Sequence, residues 1–109
     1  MWHPNFPQQA QASYSVDPKI IPATLTAETT VDTWVFQIDM SNSTGTAATI
    51  TIQDAQGTPM KLFEAVSVPA NGAVVYTNQF GRKFTGGIKW QSGTASALHG
   101  AIWATIKVS

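Results

Sequence analysis

Residues 97–108 read ALHGAIWATIKV, and their alternating pattern indicates the fold class of the chain. Every even position from Leu98 to Val108 holds an apolar residue or glycine, whereas the odd positions include His99 and Lys107. A period of two directs alternate side chains to opposite faces of a β-strand. A helix is the competing interpretation, but Gly100 costs a helix about 1 kcal/mol relative to alanine. The many β-branched residues also favour a strand, which we therefore predict.

The same period recurs upstream of this stretch. In Val31–Met40 the even positions from Trp34 onward are apolar, so we predict an inward-facing set made of Trp34, Phe36, Ile38 and Met40. Val35 breaks the alternation, and Trp90 belongs to an inward register of a later strand. Turns rich in glycine, asparagine, serine and proline separate the strands every 8–12 residues or so. Pro69-Ala70-Asn71-Gly72 is the strongest of these signals and predicts a tight hairpin.

This spacing predicts an all-β fold, an antiparallel β-sandwich (jelly-roll or Ig-like) of six to eight short strands. A small barrel is the alternative. We place the sandwich domain at residues 24–109 and an extended N-terminal arm at residues 1–23. The arm holds four of the six prolines, which disfavour a helix or a central strand. Its apolar side chains, including Trp2, Phe6 and Tyr14, need a surface on this chain or a neighbour. A disordered tail is the alternative.

Composition narrows the classes of function. The 109 residues fit one domain, and charged residues make up 11%, well below the usual ~25%. Six basic and six acidic residues cancel, so neither nucleic acid nor a membrane is expected as a partner. The chain has no cysteine, which excludes disulfides and thiol chemistry. No basic and apolar leader follows Met1, so we expect no signal peptide and synthesis in a cytoplasm.

No catalytic motif is visible, and we predict that the chain is not an enzyme and has no cofactor or metal. His3 and His99 are the only histidines, and neither belongs to a metal-spaced cluster. A small hydrolase remains an alternative if His99 lies close to a carboxylate in the fold. A carboxylate pair such as Glu28 with Glu64 would suit glycoside hydrolysis.

The aromatic residues indicate where the chain makes contacts. Trp103 falls on the face of the last strand opposite Ile102 and Ile106, so it is either covered by the arm or exposed as a subunit contact or a sugar-stacking platform. Arg82-Lys83 at a predicted turn tip suits a phosphate or an acidic partner, although a solvated turn is the simpler interpretation. Our candidate interface residues are Trp2, Phe6, Tyr14, His99 and Trp103.

Two stretches carry a resemblance to a known class of proteins. Leu62–Gly72 (LFEAVSVPANG), and Gly86–Trp90 (GGIKW) followed by a Gly/Ser turn and an apolar last strand, resemble small bacteriophage virion proteins. Those proteins are β-sandwich decoration or accessory subunits of heads and tails. The resemblance covers residues 31–108 and carries over no functional residue.

The resemblance implies a structural subunit of a bacteriophage particle, located in the virion. We expect this subunit to assemble through its N-terminal arm, which docks on a neighbour, and through its sheet faces. It further implies a symmetric homo-oligomer, such as a trimer, and contact with other virion proteins such as the major capsid or tail protein. The alternative is a carbohydrate- or receptor-binding β-sandwich module that uses Trp103 or Trp90 as a stacking surface.

Overall fold

The fold is taken from a computed structural model, which describes residues 10–108. These residues form eight β-strands and no helix. The strands are β1 (Gln11–Ile20), β2 (Thr26–Ala27), β3 (Thr33–Asn42), β4 (Ala48–Asp54), β5 (Lys61–Val68), β6 (Ala73–Phe84), β7 (Ile88–Ser92) and β8 (Leu98–Lys107).

The strands build two four-stranded antiparallel sheets that pack face to face. The first sheet has the order β1-β8-β3-β6 and the second has the order β2-β7-β4-β5. Strand β1 pairs with β8, β2 with β7, β3 with β6 and β4 with β5, as in one long hairpin rolled up on itself. Six of the seven connections cross between the sheets, and only β4–β5 stays within one. The predicted β-sandwich is confirmed, and its strand order is that of a jelly roll.

The core lies between the sheets and is made by inward-facing residues of every strand except the two-residue β2. On β8 the even positions Leu98 to Ala104 are all buried, which confirms the alternation on which the fold prediction rests. The largest fully buried side chains come from both sheets; they include Trp90, Phe84, Ile21, Ile38, Met40, Ile50, Ile52, Ile88, Leu98 and Ile102.

Trp90 joins the two sheets at the centre of this core. Its indole lies over Gly100 on the facing sheet, so closely that a β-carbon added to Gly100 would stand 2.7 Å from Cζ3 of the ring. The indole Nε1 donates a hydrogen bond of 2.9 Å to the Glu28 carboxylate, which also pairs with Lys19 of β1. The Tyr14 hydroxyl donates to the Glu28 carbonyl oxygen at 3.0 Å. Glu28 therefore connects β1 with β7.

The sandwich begins within the predicted arm. Residues 11–20 form β1, which pairs along β8, and the neighbouring Ile21 is fully buried. Pro18 is compatible with this strand because β1 is an edge strand and its register shifts between Val16 and Lys19. Residues 1–9, the remainder of the predicted arm, lie outside the described residues.

The four edge strands are each unsuited to pairing with a further strand. β1 contains Pro18, β2 has only two residues, and β5 bends at Ala65, whose φ is 49°. β6 is interrupted near Gly81, whose φ is 79°. Such features prevent sheets from joining edge to edge.

The turn at residues 69–72 forms, but it does not make the predicted hairpin. The N–H of Gly72 donates to the Pro69 carbonyl at 3.0 Å, and Asn71 has a φ of 53°. The strands on either side, β5 and β6, belong to different sheets. The turn therefore carries the chain across the sandwich, and the hairpin prediction was wrong because turn chemistry does not specify which strands pair.

Because Trp90 packs so closely on Gly100, we expect a single methyl group added at Gly100 to destabilise the fold severely. We expect Gly100→Ala to lower the free energy of unfolding by about 2–3 kcal/mol, because the rigid indole cannot move aside without disturbing the core. Gly57→Ala is the control, since nothing lies within 4 Å of a β-carbon at that position. Urea denaturation of both variants checks the prediction, and equal stabilities would contradict it.

The loop between β4 and β5 is organised by a buried carboxylate. Burial by itself raises the pKa of Asp54, but hydrogen bonds from the Gln56 side chain and from the backbone N–H groups of Met60 and Gln56 outweigh it. The pKa of Asp54 therefore lies below its usual value of 3.8.

This lowered pKa predicts a pH-dependent contribution to stability. The contribution is fully present above the unfolded-state pKa of about 3.9 and is lost as the pH falls through the lower folded-state pKa. We expect Asp54→Asn to be less stable at pH 7 by about 1–2 kcal/mol, and to lose less stability than the wild type between neutral and acid pH. Denaturation curves across this pH range test the prediction; parallel losses would contradict it.

Candidate binding surface

The outer faces of the two sheets differ in chemistry. On the second sheet the outward side chains are mainly polar; they include Thr49, Thr51, Ser67, Lys89 and Gln91. On the first sheet three aromatic side chains, Trp34, Phe36 and Trp103, lie on the outer face together. Trp103 is 43% exposed, and Val75 on the neighbouring β6 is 56% exposed. We call the first sheet's outer face the aromatic face.

The aromatic face originates in a β-bulge in β3. Val35 pairs with Ala104 and Gln37 pairs with Trp103, which leaves Phe36 without a partner on β8. The extra residue reverses the alternation, so that Val35 is fully buried on one side of the bulge and Ile38 on the other. The prediction that Trp34 and Phe36 point inward was wrong for this reason, while Ile38, Met40 and Trp90 are inward as predicted.

Strand β6 makes room for the Phe36 ring. Arg82 pairs with Val35 and Thr77 with Gln37, so residues 78–81 stand opposite the single residue Phe36. A β-carbon added to Gly81 would lie 3.1 Å from the Phe36 ring, which shows how closely the ring packs on the glycine. In the same segment Phe80 is 84% exposed, and its N–H donates to the Asn78 side chain at 3.0 Å.

A shallow groove crosses the aromatic face beside Trp103. It has a volume of about 470 Å³ and is lined by Ser13, Tyr14, Ser15, Phe36, Trp103, Ala104 and Thr105. We call it the aromatic groove. No aspartate, glutamate, lysine or arginine lines it. Its chemistry is therefore that of aromatic surface edged by hydroxyl groups, which suits an uncharged ligand.

Polar groups beside the groove are held in fixed pairs. The amide of Gln37, which stands next to Trp103 across the strands, donates to the Asp39 carboxylate at 2.9 Å. The Thr105 hydroxyl donates to the Gln11 side-chain oxygen at 2.6 Å. Because these side chains already have partners, their positions are set before any ligand arrives.

The basic pair Arg82-Lys83 lies within β6 rather than at a turn tip. The Lys83 ammonium lies 5.7 Å from the centre of the Trp34 ring and 3.7 Å from the Asp32 carboxylate. A hydrogen bond from the Gly86 N–H, together with Lys83, lowers the pKa of Asp32 below its usual value. Arg82 lies 5.9 Å from the centre of the Phe84 ring. Both cations therefore have partners within the chain.

A second hollow, of about 260 Å³, lies farther along the same face. His99, Ser41 and Asp39 all line it, so the structure brings His99 into the same hollow as a carboxylate. His99 and Ser41 are directly opposed on β8 and β3. None of the hydrogen bonds among the described residues joins these three side chains, and the Asp39 carboxylate is engaged with Gln37. A nucleophile and base would need such a bond.

The two other carboxylates considered for catalysis, Glu28 and Glu64, are bound to different partners. Glu28 is engaged with Trp90 and Lys19, whereas Glu64 forms an exposed pair with Lys61 on β5. Within residues 10–108, no group of three or more His, Cys, Asp or Glu side chains is placed to hold a metal ion. In that same part of the chain, no helix has the length and apolar character needed to cross a membrane.

The predicted interface residues fall into three groups. Trp103 and His99 both lie on the aromatic face, the former exposed and the latter half-buried. Tyr14 is partly buried, packs against the core and bonds to Glu28, so its hydroxyl is already used. Trp2 and Phe6 lie outside the described residues. Sequence reasoning missed Trp34, Phe36 and Phe80, although the exception at Val35 was a signal that the register changes.

No protein-family model, curated protein or solved structure matches the chain.

Proposed function

We propose that the chain is a structural subunit of a bacteriophage particle that assembles through its aromatic face. The observation that carries the proposal is that exposed Trp103, Val75 and Phe80 lie on or beside the outer face of the first sheet, whereas the outer face of the second is mainly polar. The exposed apolar residues of the second sheet, Val66 and Met60, lie in or next to its edge strand β5 and include no aromatic ring. Aromatic residues are enriched at the centre of protein interfaces and contribute most of their binding energy.

Two further features support assembly through a face. The edge strands are unsuited to strand addition, so a partner meets a sheet surface rather than a sheet edge. The low charge of 11% also suits a subunit that is packed against others. Jelly rolls recur in viral capsid proteins, which adds a fold-level analogy and no more than that.

If the chain assembles through the aromatic face, a single charge introduced on that face should abolish assembly. We expect the wild type to form a homo-oligomer and Trp103→Glu to be at least about 30-fold weaker in self-association, because a carboxylate would be buried without a partner. Ser67→Glu, on the outer face of the second sheet, is the matched control and should assemble normally. Sedimentation velocity over a concentration series measures this. A monomeric wild type, or equal effects of both variants, would contradict the proposal.

A carbohydrate- or receptor-binding module is the second candidate, and the surroundings of Trp103 favour it specifically. An exposed indole next to the fixed Gln37–Asp39 pair offers a stacking surface with adjacent hydrogen-bonding groups. Such a combination suits a sugar ring, which has an apolar face and a rim of hydroxyl groups.

This candidate predicts saturable binding on a glycan array. Trp103→Ala should lose the binding, because the stacking surface is removed while the fold is retained, whereas Ser67→Ala should bind as the wild type does. The absence of binding to any glycan by the folded wild type would rule this candidate out.

A further inference from the structure

We propose that residues 1–9 of a second copy of this chain occupy the aromatic groove, so that neighbouring subunits exchange their N-terminal segments. This inference rests on the proposed assembly function and names the element that fills the surface.

The chemistry of the segment matches that of the groove. Residues 1–9 read MWHPNFPQQ and contain no aspartate, glutamate, lysine or arginine. The groove lining also contains none of these four residue types. Pro4 and Pro7 have the spacing of a PxxP motif. Such segments bind to aromatic-lined grooves because proline limits the conformations that must be given up. Trp2 and Phe6 would add apolar contacts to Phe36 and Trp103.

The geometry at the start of β1 favours a neighbouring copy over the chain's own groove. The Val108 N–H donates to the Ala10 carbonyl at 2.9 Å, so the β1–β8 ladder continues up to Ala10. The groove lies in the opposite direction, beside Ser13 and Ser15. At Ala10 the described backbone, followed toward the N-terminus, therefore points away from its own groove. Nine residues reach at most about 30 Å, enough to cross to an adjacent subunit.

Reciprocal exchange explains how so short a segment would hold an assembly together. Ordering nine residues has a large entropic cost, so one docked segment binds weakly. When each subunit both gives and receives a segment, the later contacts form within the same complex at a high effective concentration. A closed ring or dimer of this kind also limits its own size, as symmetric oligomers do.

Two full-length variants separate the two halves of the contact. The arm variant carries Trp2→Ser and Phe6→Ser and keeps its groove, whereas the groove variant carries Trp103→Glu and keeps its arm. We expect each to be monomeric alone. When mixed at concentrations well above those at which the wild type assembles, they should form a one-to-one complex through the one arm and the one groove left intact. A single contact is weak, so the weight-average mass should rise steadily across this concentration range. A mixture of the arm variant with an arm variant that also carries Ser67→Glu should remain monomeric.

The outcomes distinguish this inference from the proposed function. If the wild type assembles and the groove variant does not, but the mixture stays monomeric, the aromatic face is an interface and the segment is not its occupant. An arm variant that still assembles would overturn the inference in the same way. A monomeric wild type would instead refute the proposed function.

Folding of every variant is checked by near-UV circular dichroism. If Trp103→Glu does not fold, Ser15→Arg replaces it, since Ser15 is exposed on the edge strand β1 and its enlargement fills the groove. The same pattern of masses is then expected.

Discussion

The packing of one indole against one glycine holds the two sheets in register. Trp90 projects from the second sheet and is fully buried, and Gly100 lies beneath it at the centre of the first. Only a residue without a side chain allows so close an approach, and the Glu28 carboxylate satisfies the indole N–H at the margin of the core. The same carboxylate binds Lys19, so the position of the edge strand β1 depends on this contact as well. Hydrophobic burial supplies most of the driving force, but this contact specifies the distance between the layers.

The fold class was predictable because a strand buried on one side must alternate. The stretch at residues 97–108 alternates without interruption and forms the strand that it predicts. The pairing of the strands was harder to predict from the sequence. The turn at Pro69–Gly72 is chemically suited to a hairpin, but it joins strands of two different sheets. The edge strand β1 was hidden by its proline, which an edge tolerates and a central strand does not. Local chemistry thus indicated strands and turns, whereas the strand order arises from contacts distant in sequence.

The aromatic face was only partly predictable, for one physical reason. Trp103 follows the uninterrupted alternation of β8 and was placed outward correctly. Trp34 and Phe36 lie on either side of Val35, and three consecutive apolar residues leave the position of a bulge undetermined. The bulge depends on β6, where Gly81 receives the Phe36 ring. The one-residue bulge therefore places Trp34 and Phe36, which were expected in the core, on the aromatic face.

The place of β8 in the first sheet has a consequence for biosynthesis. This strand lies between β1 and β3, yet it is the last of the eight to be translated. Until it emerges, β1 has no hydrogen-bonding neighbour and Trp90 has no glycine to cover. The first sheet therefore cannot be completed before β8 has been translated. Chains whose contacts are mostly between residues far apart in sequence typically fold in milliseconds to seconds. Until β8 is in place, the unfinished sheet exposes unpaired strands and apolar surface, which are the features that make incomplete β-proteins prone to aggregate.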